Sequence, residues 1–383
     1  MSKAQEAELS ITDQESKGGI PHQSAITARP LSSSRARELK WWIQITIFIV
    51  FVLAGQSAAM ILGRLYFAKG GKSIWMATLL QIVGFPALLP MYYCFRKKTT
   101  RNDVVLPSNP PSAAKLVSVY VSLGILVAVE CVLYSIGLLY LPVSTYSLIC
   151  ASQLAFNGVF SFYLNGQKFT PYILNSLVLL TISSTLLVFH TDSSSNSTGG
   201  SGGKYGVGFV CTVAASALFS LVLSLTQLAF QRVIKPQTFK AVLDMIIYQS
   251  LVASCVTVVG LLASGQWRTI RTEMAEFELG SVSYLMTVIW IALTWQIYAI
   301  GAVGLIAEVS SLFSNAVSTF GLPIIPVLAV IFFHDNMDGI KVVAMVLAMW
   351  GFVSYGYHHY LADYKTKKKT QSAIDDAPKA SGV

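Results

Sequence analysis

The chain has 383 residues, of which 54% are apolar types and only 12% are Asp, Glu, Lys or Arg, with a mean hydropathy of +0.60. Soluble domains carry about 25% charged residues, so this composition excludes a water-soluble globular protein and indicates an integral membrane protein. The formal net charge of +9 does not indicate nucleic-acid binding, because the Lys and Arg residues gather in short loops and tails and form no basic face interleaved with aromatics.

Residues 1–40 are polar and rich in Ser and mixed charge, and they lack a short apolar core followed by a small-residue cleavage site. They read as a disordered cytosolic tail, with the first membrane helix as the targeting signal. Ten apolar segments long enough to cross about 30 Å of hydrocarbon follow. They lie at 41–66, 74–95, 116–140, 142–164, 170–189, 205–230, 240–264, 281–304, 309–333 and 340–361. Pro142 separates the third from the fourth, since proline cannot donate the helical hydrogen bond and suits a first turn. Gly304 and Glu308 mark the turn between the eighth and ninth. Pro86 and Pro90 in the second span, and Pro323 and Pro326 in the ninth, should distort those helices.

Arg35, Arg37 and Lys40 precede the first span, Arg96 to Arg101 follow the second, Lys168 the fourth, Arg232 to Lys240 the sixth, and Lys365 to Lys369 the tenth. Ten spans put all of these on one side, which the positive-inside rule makes cytosolic, with both termini there. The opposite side carries a flexible Ser- and Gly-rich linker, 191–204, which contains the sequon Asn196-Ser197-Thr198. Its Gly-Gly-Lys ending is not a phosphate loop, because Thr198 and Tyr205 stand where Gly and Ser or Thr are required. Residues 363–383 form a basic cytosolic tail. The five cysteines, all in apolar segments and without a C-x-x-C pair, read as packing residues.

"LYSIG" at 133–137 returns as "IYAIG" at 297–301, with Tyr134 to Tyr298 and Gly137 to Gly301 both offset by 164. The copies end the third and eighth spans, a period of five helices. Because five is odd, the second half (205–362) must be inverted relative to the first (41–190), a plan used by secondary transporters with a mid-membrane substrate site.

Glu130 stands near the middle of the third span, where an acid costs about 3 kcal/mol even on a lenient insertion scale. It should face a cavity or a partner, and Glu130, Tyr134 and Gly137 share one helical stripe. A carboxyl so placed can couple substrate binding to a proton; the alternative is a hydrogen bond to a neighbouring helix. Gln153 and Asn157 in the fourth span can both donate and accept, which suits a heterocycle with ring nitrogens and an amine, or else joins helices. Trp295, Gln296 and Tyr298 in the eighth combine aromatic faces with a further amide, and Asn315 lies near the start of the ninth. Arg64 and Asp244 sit where they can snorkel. His22, His190, His334, His358 and His359 make no metal-ligand pair with a nearby acid or cysteine. No cofactor, metal site or enzymatic constellation is expected.

Three stretches carry a resemblance to a known family: "GRLYFAKGGKSIW", "LYLPVSTYSLICASQLAFNGVFSFYLNGQKFTPYILNSLVLLTIS" and "SSLFSNAVSTFGLPIIPVLAVIFFHDNMDGIKVVAMVLAMWGFVSYGY". They resemble the plant purine permeases of the drug/metabolite transporter superfamily, over roughly residues 41–362. The resemblance implies ten helices in two inverted halves and uptake of adenine, cytokinins and related heterocycles, proton-coupled in several members; some relatives carry alkaloids, caffeine or vitamin B6 compounds. The family's acidic position falls on Glu130, its polar pair on Gln153 and Asn157, and its aromatic and amide pair on Trp295 and Gln296. The family often has Asp-Asn where this chain has Glu130-Cys131, a departure that bears on substrate preference. The expectation is an all-α plasma-membrane importer of a purine-type base with Glu130 as the proton-coupling group. Its partners are the heterocycle, protons and the lipid bilayer. Tonoplast or endoplasmic reticulum, an alkaloid carrier or passive facilitator, and a non-transporting receptor or scaffold are the alternatives.

Overall fold

The computed structural model describes residues 31–94, 112–166, 202–234, 238–322 and 324–334, with scattered positions between 171 and 182 and between 339 and 354. Most of the predicted fifth and tenth spans, the sequon and the basic tail lie outside the described residues. Contacts divide the chain after Ile43 into two units. The described part of the first is the helical stretch 31–43, in which Trp41 and Trp42 meet edge to face with centroids 5.0 Å apart.

Among the described residues the regular elements are all helical: α1 (Leu31–Ala68), α2 (Ile74–Ile82), α3 (Ala113–Tyr140), α4 (Val143–Cys150), α5 (Gln153–Asn165), α6 (Gly202–Ala229), α7 (Phe239–Ala263), α8 (Ile270–Glu276), α9 (Ser281–Glu308), α10 (Ser311–Gly321) and α11 (Ile324–Phe333). They supply eight stretches long and apolar enough to cross a membrane, matching predicted spans one to four and six to nine. Helix α3 shows how the apolar surface divides. Val117, Val121, Ile125 and Val129, four residues apart, are exposed, while Ala128, Glu130 and Cys131 are buried. One face is fit for lipid and the other for the bundle.

The break at Pro142 falls between α3 and α4 as predicted, with Pro142 at the N-cap. The turn expected at Gly304–Glu308 does not form there, because α9 runs on to Glu308 and Ser310 caps α10 by accepting from the Phe313 amide at 3.1 Å. Gly304 serves close packing instead: a methyl group there would come within 2.7 Å of the Phe48 ring. Another break was not foreseen. The fourth span stops at Cys150 and restarts at Gln153, although neither Pro nor Gly interrupts it. Helix α2 also breaks, continuing as a 3-10 turn at Phe85–Leu88 that contains Pro86.

Helix α6 presents a buried seam of Thr212, Ser216, Ser220 and Ser224, one per turn. Thr212 and Ser216 return their hydroxyl protons to carbonyls of their own helix, Gly208 and Thr212, so small polar side chains pack without orphan donors. Ser220 and Ser224 reach across, to the Gln153 carbonyl at 2.6 Å and to Asn157 Oδ1 at 2.8 Å. Arg64 donates to the Leu138 carbonyl in the last turn of α3 at 3.1 Å, and Asp244 pairs with Lys240 at 3.2 Å. Gln44 donates to Glu308 Oε1 at 3.0 Å.

The segment after α7 carries a tie absent from the sequence expectations. Glu273, on α8, is 2% exposed and accepts hydrogen bonds from the Tyr66 hydroxyl at 2.8 Å and from Thr269 at 3.1 Å. Ser73 donates to Gln266 at 2.8 Å beside it. The exposed pairs Lys69–Glu278 and Lys72–Glu276 join the same two segments at 2.8 and 3.1 Å, each worth about 0–1 kcal/mol. The buried Tyr66–Glu273 bond is the stronger tie. Tyr66→Phe and Glu273→Gln should each lower thermal stability in detergent, the former by about 1.5–3 kcal/mol. The double variant should cost clearly less than the sum of the two; strict additivity, read from melting curves, would show that the two side chains do not act together.

Candidate functional site

Deep in the bundle, α1 to α7 and α9 surround a cavity of about 130 Å³, roughly ten times the space one ordered water needs. Glu130 and Tyr134 reach it from α3, Gln153 from the first turn of α5, and Trp295, Gln296 and Tyr298 from α9. Six of the eight residues singled out in the sequence therefore share one wall. Asn157 and Asn315 do not line it. Asn157 spends its amide on helix joining: Oδ1 accepts from Ser224 and Ser161, and Nδ2 donates to the Ser311 carbonyl at 3.1 Å. Asn315 donates to the Gln153 carbonyl at 3.0 Å. Together with Ser220 it donates to this carbonyl in the first turn of α5, tying α6 and α10 to that turn.

The aromatic part of the wall is built from edge-to-face pairs. Tyr134 meets Tyr146 at 6.0 Å and Phe219 at 6.4 Å between centroids, and Trp295 meets Tyr298 at 5.4 Å with an interplanar angle of 89°. Perpendicular pairing restrains the orientation of each ring.

Ser318 organises the polar part. It lies one turn behind the wall and gives its single proton to Gln56 Oε1 at 2.9 Å, so it can only accept from Gln153 Nε2 at 3.2 Å and from the Tyr298 hydroxyl at 3.4 Å. One buried hydroxyl thereby aligns cavity residues of α1, α5 and α9. Gln81 is held separately, donating to Ser135 at 2.8 Å. Gln56, Gln81, Tyr146 and Gln249 line the cavity without being singled out in the sequence, although each glutamine is an amide in an apolar span.

Two acceptors in this wall have no donor among the described residues. Glu130 is 5% and Gln296 3% exposed, yet Glu130 Oε2 and Gln296 Oε1 are buried without a hydrogen bond. Among the described lining residues Glu130 is the only one of a charged type, and Lys, Arg and His are absent from them. A smaller cavity of about 20 Å³ adjoins the first, shares Met60, Gln81, Tyr134, Tyr146 and Trp295 with it, and has Tyr66 in its wall.

A multi-pass helical membrane protein with an aromatic and amide-lined cavity has the build of a carrier for a small planar molecule. The chain belongs to the plant purine permease family: residues 43–365 match the family described as "Purine nucleobase transmembrane transport". It is 54% identical over 356 residues to "Probable purine permease 10" of Arabidopsis thaliana, spanning 93% of this chain and 90% of that one. It is 53% identical over 377 residues to "Purine permease 21" of the same plant, spanning 97% and 95%. With "Probable purine permease 6" the identity is 55% over 340 residues, 88% of each chain.

Ser318→Ala tests the alignment of the wall. It removes the partner shared by Gln56, Gln153 and Tyr298 without touching the lining, and should raise KM for purine uptake about 3–30-fold, the worth of one to two hydrogen bonds. An unchanged KM at equal surface expression would show that these side chains hold their positions without it.

Proposed function

We propose that this chain is a secondary active importer of purine-type nitrogen heterocycles, adenine and cytokinins, working by proton symport at the plasma membrane. Glu130 is the coupling group, and Tyr134, Gln153, Trp295, Gln296 and Tyr298 contact the substrate. Asn157 and Asn315 act behind the wall by holding Gln153 and the helices that carry it. The observation that carries this reading is the pair of buried cavity-lining acceptors, Glu130 Oε2 and Gln296 Oε1, that have no donor among the described residues. A ligand with N–H groups completes them, and an aminopurine offers such groups on a flat ring that stacks against aromatic faces.

The absence of Lys, Arg and His from the described lining residues favours an uncharged base over a nucleotide, whose phosphate would need Lys, Arg or a helix N-terminus. A carboxyl beside the bound base can take up or release a proton as the cavity changes its access, which is the requirement for symport.

The bundle is proposed to contain ten spans in two inverted halves with both termini cytosolic. The repeated glycines support this. Gly137 of "LYSIG" lies against Thr212 of α6, and Gly301 of "IYAIG" lies against Phe48 and Val52 of α1, where a methyl group would meet the Phe48 carbonyl at 2.6 Å. In two inverted five-helix halves the third helix and the eighth are equivalent, as are the sixth and the first. Each repeat glycine thus meets the helix that the symmetry assigns to it.

Labelled adenine and trans-zeatin uptake into yeast lacking its own purine uptake tests the proposal, with wild type and Glu130→Gln at acidic and neutral external pH. Wild type should accumulate substrate faster in acid, whereas Glu130→Gln, matched for surface expression, should lose both accumulation against a gradient and the pH dependence. Equal behaviour of the two proteins at both pH values would remove Glu130 from the coupling step.

A further inference from the structure

We propose that Gln296 is a specificity-determining residue of this cavity, locked by the break in α2 so that it can only accept a hydrogen bond, and that it selects substrates bearing an N–H donor. The inference rests on the proposed purine transport and adds to it the residue and the polarity that sort one heterocycle from another.

A primary amide has a donor end and an acceptor end, and a half-turn about its last side-chain bond exchanges them. An amide free to turn presents whichever end a ligand needs and discriminates little. Gln296 is not free. Its Nε2 donates to the Ile82 carbonyl at 3.2 Å. Ile82 is the last residue of α2, and in an unbroken helix its carbonyl would accept from the amide four residues on; that residue is Pro86, which has no N–H. The carbonyl is therefore left to an outside donor, and a carbonyl only accepts. Turning the Gln296 amide would set oxygen against oxygen and leave both without a donor.

The approach of α9 to this point depends on Gly84. A methyl group there would strike the Ala292 carbonyl and come within 2.7 Å of Gln296 Cγ. Gly84 and Pro86 together place the amide and fix which way it faces. Its Oε1 is consequently held as an acceptor, buried in the cavity wall with no donor from the protein.

The other aligned amides differ in one respect. Gln56 and Gln153 are anchored on the hydroxyl of Ser318, and Gln81 on that of Ser135 at 2.8 Å, with only longer contacts of 3.4 Å to the Ala77 and Cys131 carbonyls. A hydroxyl can donate or accept, so these main partners can follow an amide that turns. The Ile82 carbonyl cannot. Gln296 is thus a wall amide whose polarity is set by the backbone, and a ligand that presents an acceptor to it leaves two oxygens opposed.

The test compares uptake of adenine, purine, which lacks the 6-amino group, and 9-methyladenine, which lacks the ring N9–H. Wild type, Gln296→Leu and Pro86→Ala are measured per molecule at the cell surface. Wild type should prefer adenine over at least one analogue by about tenfold or more, because a site built to bond an N–H rejects the isostere without it. Gln296→Leu should collapse that preference to within about twofold. Pro86→Ala returns an N–H to the Ile82 carbonyl, releases the amide, and should narrow the same preference at least about threefold with Gln296 still in place. It also decides the matter alone if the leucine variant fails to reach the surface. Preferences unchanged in both variants, with only the overall rate reduced, would overturn the inference while leaving purine transport standing. Absence of any purine uptake by wild type would instead overturn the transport reading, and this inference with it.

Discussion

Hydrocarbon offers no hydrogen bonds, so every polar group carried into these helices must find its partner in the protein or in a ligand. This constraint explains the arrangement around the cavity. Where α4 gives way to α5, the Gln153 carbonyl takes donors from Ser220 and Asn315. Where α2 stops, the Ile82 carbonyl takes one from Gln296. Both positions adjoin the cavity, and neighbouring helices donate to each; at Ile82 the donor replaces the bond that Pro86 cannot make. The side chains that line the cavity are thereby tied to backbone positions that cannot move independently of the bundle. Of the buried polar atoms without a partner among the described residues, Glu130 Oε2 and Gln296 Oε1 are the two that belong to the cavity lining.

Close packing makes such long-range bonding possible. Gly137 lets α3 lie against the serine and threonine seam of α6, while Gly55 and Gly301 let α1 lie against α9; a methyl group at Gly55 would come within 2.7 Å of the Tyr298 amide nitrogen. Small residues replace the hydrophobic drive that membrane helices lack between themselves. They also bring Tyr134 and Tyr298, the tyrosines of the repeated pentapeptide, to the same cavity. The segment containing α8 is held differently, by Tyr66–Glu273 and two exposed ion pairs, and Tyr66 borders the smaller cavity adjoining the site.

Much of this was legible because membrane sequences are constrained so strongly. A lone acid in an apolar run, followed by Tyr134 one turn on, is read directly as a polar stripe, and the lining contains both. Pro142 announces its own break. The break at Ala151–Ser152 has no such marker, since neither Pro nor Gly stands there, and its amides pair locally with the Leu148 and Ile149 carbonyls. Gln153 and Asn157 look alike as an i, i+4 amide pair, and only the packing of α6 and α10 decides that one meets the cavity and the other Ser224 and Ser311. Gly304 was read as a turn when its role is to admit Phe48. Glu273, in the charged stretch "RTEMAEFELG", reads as one more solvated acid; its burial depends on Tyr66, which reaches it across 207 positions of sequence.

The central claim is that the two unpartnered acceptors form the purine site. Equilibrium binding of labelled adenine to the purified protein in detergent tests it most directly, with wild type compared against the combined Glu130→Met and Gln296→Leu variant. Wild type should bind saturably at one site per chain, and the double variant, if folded by its melting curve, should bind at least ~30-fold more weakly, as expected for losing two hydrogen bonds to buried groups. Unchanged affinity in the folded double variant would contradict the account and place the substrate elsewhere.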